Sequence, residues 1–138
     1  MDVGRRTEFS IYLDDRPGAL AGVLEAAAAA GVTVMAVSVP ESPKRGLVRL
    51  IGDPVETLRE VCEALVDSSV GPVVESTILA VTITERPNAL HDIAYRMADT
   101  GLNVLYAYHA PSLNGHAPIC LVRTNDLERA EDLIREIA

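Results

Sequence analysis

The chain repeats itself. The segment DRPGAL, Asp15 to Leu20, realigns at an offset of 70 residues with ERPNAL, Glu85 to Leu90. Without a gap, Arg16, Pro17, Ala19, Leu20, Ala28, Gly31 and Val34 match Arg86, Pro87, Ala89, Leu90, Ala98, Gly101 and Val104. Seven identities across twenty residues exceed the roughly one or two that average composition supplies. A fixed-period repeat is one supersecondary unit built twice. With 138 residues in all, each copy is too small to bury much of its own surface, which favours packing against a second copy.

Both copies read in one order. Glu8 to Asp14 alternates, with Phe9, Ile11 and Leu13 on one side, and Thr77 to Thr84 does the same with Leu79, Val81 and Ile83. Period two predicts a half-buried strand. Pro17 and Pro87 stand where a helix can begin, since its first turn has no use for their missing N–H. Leu20, Val23, Leu24, Ala27 and Ala28, and in the second copy Leu90, Ile93, Ala94, Met97 and Ala98, recur at helical spacing. Gly31 and Gly101 are natural stops. Strands follow over 32–39 and 102–110, then Pro/Ser/Asn/Gly-rich turns over 40–46 and 111–115, then strands over 47–51 and 117–123. A last helix carries Leu58, Val61, Cys62 and Leu65, or Leu127, Ala130, Leu133, Ile134 and Ile137, by which point the offset has grown to about 72. The order β-α-β-β-α, twice, predicts an α+β fold of two ferredoxin-like βαββαβ modules in tandem, with antiparallel sheets and helices on one face. The expected modules are 1–72 and 73–138. Residues 72–84 are expected to form one long strand or a bent pair. The first copy has a fourth strand at Pro72 to Ser76; the second ends without one, so its open edge must be covered some other way, pairing in a homodimer being one.

Composition excludes several classes of function. The formal net charge is −8 and aromatics are 4% of residues, so neither a cationic patch for phosphates nor stacking platforms for bases is expected, and nucleic acid is not an expected partner. No apolar run reaches membrane-spanning length, and MDVGRRTEFS lacks the apolar core of a signal peptide; a cytoplasmic location without membrane partners is expected. Cys62 and Cys120 lack metal or redox spacing and read as buried thiols. His91, His109 and His116 are scattered, with no carboxylate or Cys partner in pattern, so no metal site is expected. No cofactor motif and no Ser-His-Asp, phosphate-loop or HExxH pattern occurs.

DRPGALAGVLEAAAAAGVTV resembles the opening of an ACT domain: an acidic residue, Arg-Pro-Gly, an apolar helix, then a glycine that starts the second strand. ERPNALHDIAYRMADTGLNV is similar, with Asn88 in place of the glycine. The resemblance spans nearly the whole chain. It implies a non-catalytic sensor of small molecules, usually amino acids, that regulates metabolic enzymes, here with no enzyme attached. It further implies a ligand at the junction of paired modules, touching the strand-to-helix loop (Asp15, Arg16, Pro17 and Gly18; Glu85, Arg86, Pro87 and Asn88) and the start of a second strand (Thr33, Asn103). Some amino-acid-binding relatives carry a His two residues before this loop, where Leu13 and Ile83 stand here.

The chemistry suits that loop. A helix N-terminus offers bare amides and about half a positive charge, so the Gly18, Ala19 and Leu20 amides, with their counterparts at Asn88, Ala89 and Leu90, can take a carboxylate. Asp15 suits an ammonium, and Thr33 or Asn103 can add an orienting hydrogen bond. Equally, Asp15 can simply cap its helix, Glu85 can favour the helix dipole, Arg16 and Arg86 can be solvated surface charges, and Asn103 can satisfy a turn. Two other functions stay open: an accessory regulatory subunit acting mainly by contact with a metabolic enzyme, and, less well, an enzyme similar to acylphosphatases, which share the βαββαβ fold and carry an Arg in the loop after strand one, as Arg16 would be here, although Pro17 removes one amide from such a phosphate loop.

Overall fold

The computed structural model describes residues 2–83, 88–111 and 117–137. Its elements are β1 (Asp2–Leu13), α1 (Ala19–Ala29), β2 (Thr33–Ser38), β3 (Gly46–Asp53), α2 (Val55–Asp67), β4 (Val73–Thr82), α3 (Ala89–Asp99), β5 (Val104–Ala110), β6 (Ile119–Thr124) and α4 (Leu127–Ile137). The expected long strand over 72–84 is β4. By contact density the chain divides into two units, Thr7–Ser76, called module one below, and Met1–Arg6 with Thr77–Ala138, called module two.

In module one the strands are ordered β2-β3-β1-β4, with β1 antiparallel to β3 (Phe9 opposite Leu50) and β3 antiparallel to β2 (Val37 opposite Leu50). Module two runs β1-β4-β6-β5, with Leu79 and Ala107 both opposite Val122. The repeat therefore holds register by register: 9, 37 and 50 become 79, 107 and 122. Even the β-bulge is copied, between Val34 and Ala36 and between Val104 and Tyr106.

Helix ends explain why these segments stop where they do. Gly31 (φ 82) donates to the Ala28 carbonyl and Val32 to Ala27; Gly101 (φ 78) donates to Ala98 and Leu102 to Met97. Each pair is a Schellman closure, in which glycine accepts the left-handed turn without a Cβ penalty. Between helices and sheet, module one buries Phe9, Ile11, Val23, Ala27, Val48, Leu50, Leu58 and Cys62. Module two buries Leu79, Val81, Ile93, Met97, Cys120, Val122, Ala130 and Ile134. Both cysteines are free and buried, and burial raises each thiol to about 11.

Three expectations need correction. The first strands are not half-buried: Glu8 and Ser10 are covered as well as Phe9 and Ile11, and Ile78 and Ala80 as well as Leu79 and Val81. The unbroken run Ile78-Leu79-Ala80-Val81 was the sign of burial on both faces. Second, β1 begins at Asp2 rather than Glu8. Its first residues belong with module two, where Val3 packs on the core and Arg5 bonds Glu131, so β1 serves both modules beside β4. Third, α1 starts at Ala19 with Gly18 as N-cap, so Pro17 lies in the preceding turn and not in the first helical turn.

Candidate ligand cavity in the first module

β1 ends at Leu13, and the chain turns through Asp14–Pro17 into α1. Gly18 carries the turn at φ 88 and caps the helix with no side-chain hydrogen bond. Asp15 therefore does not cap α1. The Ala19 amide donates to the Arg16 carbonyl (3.3 Å) and Gly22 to the Gly18 carbonyl (3.0 Å), while the amides of Leu20 and Ala21 take no backbone acceptor among the described residues. The partial positive charge of the helix end is thus only partly consumed.

Facing this corner is the end of α2. Ser68 donates to the Ala64 carbonyl, Ser69 to Val66 and Val70 to Leu65, a Schellman closure in which Ser69 takes the left-handed conformation at φ 60. Glycine would be cheaper there by about 1 kcal/mol. The following turn is pinned to β1: Tyr12 donates to the Pro72 carbonyl at 3.0 Å, and a Cβ at Gly71 would overlap the Tyr12 carbonyl.

Between the two helix ends lies a cavity of about 290 Å³, built wholly by module one. Arg16, Gly18, Ala19 and Gly22 wall one side; Leu65, Ser68, Ser69 and Val70 wall the other, and Leu13, Asp14 and Val23 complete it. The two helix ends present opposite poles to it, α1 its positive end and α2 its negative end. Asp14 also pairs with Arg16 at 3.7 Å, both side chains being exposed.

The predicted residues are thus sorted. Arg16, Gly18 and Ala19 line the cavity. Asp15 and Pro17 are exposed neighbours that do not line it, and Leu20 turns inward onto the core. Thr33 is remote within its module: it lies opposite Asp53, whereas Leu13 lies opposite Gly46 at the other end of β3, about 23 Å away at roughly 3.3 Å per residue. In module two, Glu85, Arg86 and Pro87 fall outside the described residues, as does His116. Asn88 caps α3 at φ −113 without a side-chain bond, Ala89 is buried and Leu90 exposed. Asn103 holds a turn through its main chain, its amide donating to Asn125 Oδ1 at 2.9 Å and its carbonyl accepting from the Asn125 amide. Sequence reasoning missed Asp14, Gly22 and the Ser68-Ser69-Val70 turn. The one available signal was a polar Ser-Ser pair where the first repeat's last helix must stop.

A family model describing the ACT domain pair matches residues 5–137. The chain belongs to that family. Solved structures agree in fold. A protein from Bacteroides thetaiotaomicron superposes with a TM-score of 0.79 at 20% identity, over 98% of this chain and 90% of that one. The ligand-free regulatory subunit of aspartate kinase from Thermus thermophilus gives 0.66 at 19% identity, over 99% and 97%. Aspartokinase III from E. coli, solved with lysine and aspartate, gives 0.60 at 16% identity, over 98% of this chain and 31% of that one. No curated protein matches the sequence. The ACT pair is a regulatory fold, which gives the cavity its context. Among the described residues no group of His, Cys, Asp or Glu could hold a metal ion, and no helix is long and apolar enough to cross a membrane.

Proposed function

We propose that this ACT pair is a non-catalytic regulatory protein that binds a small zwitterion, an amino acid, in the corner cavity of module one. The observation that carries this reading is the pairing of opposite helix poles across about 290 Å³. The positive end of α1, presented to the cavity by Gly18 and Ala19, suits a carboxylate. Asp14 and the α2 terminus suit an ammonium, and the Ser69 hydroxyl suits a polar side chain or the ammonium itself. The volume is at the small end for ligand pockets. Kinship in fold with an aspartokinase solved with lysine and aspartate supports amino acids as the class to try first. Regulation then follows if the ligand stabilises one state of an assembly with an enzyme more than another.

Thermal-shift screening of the full chain against the common amino acids tests this. A ligand at one hundred times its dissociation constant should stabilise by about 2.7 kcal/mol. Gly22 is the clean blocking position, because it lines the cavity on a regular helical backbone with open space around a new Cβ. Gly22→Leu should abolish the shift without loss of fold, whereas Gly18→Val would confound blocking with strain at φ 88. Ser69→Gly should raise basal stability by about 1 kcal/mol and weaken the response. An unchanged ligand response in both variants would remove the cavity from consideration.

A further inference from the structure

A second cavity of about 290 Å³ opens in module one between α2 and strands β1 and β4, and shares no lining residue with the corner cavity. Its floor is apolar: Phe9 and Cys62 are buried, and Val66 and Val73 flank them. Its charged lining is one guanidinium, Arg59, against three carboxylates, Glu63, Asp67 and Glu75. Arg59 is already committed, donating from Nε to Glu75 at 2.7 Å and from Nη1 to Glu56 at 2.8 Å. Glu63 and Asp67, one helical turn apart on the same face of α2, form no ion pair among the described residues. The floor feels this negative field: the Cys62 thiol is raised to about 11, first by burial and then by Glu75 and Glu63.

The same place in module two is built differently. At the offset of 72, Cys62 becomes Ile134, fully buried, and Glu63 becomes Arg135. Arg59 paired with Glu75 becomes Glu131 paired with Arg5. Added bulk and reversed charge both argue that the groove is particular to module one and not a by-product of the shared fold.

We infer that this groove binds a small primary alkylammonium compound, its chain against Phe9, Cys62 and Val73 and its ammonium between Glu63 and Asp67. An apolar floor of this size accepts a short alkyl chain, the carboxylate pair bridges one cation, and the surplus negative charge turns away a carboxylate-bearing ligand.

The test is a titration of the full chain with n-butylammonium, with 1-butanol and butyrate as neutral and anionic analogues, read by backbone amide NMR at Cys62, Val66 and Val73. Saturable shifts are expected with n-butylammonium, binding about ten-fold weaker with butanol, and no binding with butyrate. The surface variant Glu63→Gln with Asp67→Asn should lose about ten-fold in affinity for the amine and none for butanol. Cys62→Ile should fill the groove and abolish binding of both; should it fail to fold, the surface variant decides alone. Equal affinity for amine and alcohol, an unchanged double variant, or shifts mapping away from α2 would overturn the assignment. Gly22→Leu leaves this binding intact, so failure here and failure of the corner cavity are separate results.

Discussion

Gly31 and Gly101 stand 70 residues apart and hold φ values of 82 and 78; Gly18 and Asn88, equally spaced, hold 88 and −113. The two modules are thus copies at the end of their first helix and diverge at its beginning. The end is a folding requirement, since the left-handed residue satisfies carbonyls that nothing else reaches. The beginning is under no such requirement, because a helix N-terminus can leave amides to water or to a ligand. A second divergence concerns closure of the sheets. Module one takes its fourth strand in sequence from Val73 onward, whereas module two has Asp2–Arg6 beside β4, from the far end of the chain. Shared geometry marks what the fold needs, and departure from it marks what each copy does alone.

The largest effect should come from removing that borrowed strand. Deleting residues 2–6 strips module two of Val3, packed on its core, of the Arg5–Glu131 bond, and of the first part of the strand that bonds β4. The expected cost is about 3 kcal/mol, from one partly buried valine and several ladder bonds. Hydrogen exchange should show it: amides of Leu79–Val81 and Leu121 lose protection, while Phe9–Ile11 and Val48 change less. Equal loss in both modules would mean that the segment does not belong to module two.

A smaller effect separates the two helix starts. Gly18→Ala places a Cβ at φ 88 and should cost about 1–2 kcal/mol in denaturant unfolding. Asn88→Gly, at a right-handed φ without a side-chain cap, should change stability by only a few tenths. Similar costs at both sites would mean that the two starts are conformationally alike after all.

How legible this was in the sequence follows from the same contrast. Helix stripes, glycine stops and the doubled order of elements depend on local periodicity, and periodicity is visible in a string. The long β4 was foreseen because Pro72–Ser76 runs into Thr77–Thr84 without a turn residue to break it. The β1 extension was not, because GRRTE reads as a polar tail and its partner lies some 75 residues away. The site was half legible. Gly18 and Arg16 announce themselves in a motif, but the wall that faces them, Ser68 to Val70, is brought there by the docking of α2 beside α1 and by the close approach of Gly71 to Tyr12. Asp15 stands out by spacing, whereas its neighbour Asp14 is the one that lines the cavity, a difference of one residue that only the turn geometry fixes.

The smallest effect tests the inverted ion pairs. Arg59 on α2 meets Glu75 on β4, and Glu131 on α4 meets Arg5 on β1. Inversion means that either strand placed against the other module's helix would meet like charge, which opposes mispairing of two similar edges. Arg5→Glu should therefore lower the melting temperature slightly, and Arg5→Glu with Glu131→Arg should recover part of the loss. Recovery is partial because Glu131 also serves Arg135. Acid should act in the same direction. Glu75 and Glu131 are held below their ordinary value of 4.5, each first by its arginine hydrogen bond. A carboxylate whose folded value is depressed contributes stability above its unfolded value and loses it as pH falls through the folded one. The wild type should thus lose more on acidification from about pH 6 to below about pH 4.5 than a Glu75→Gln, Glu131→Gln double variant does. Ion pairs that keep contact with solvent are individually weak, and of the four side chains only Glu131 is largely covered, so parallel acid titrations of the two proteins would show that the inversion directs strand choice without measurable stability of its own.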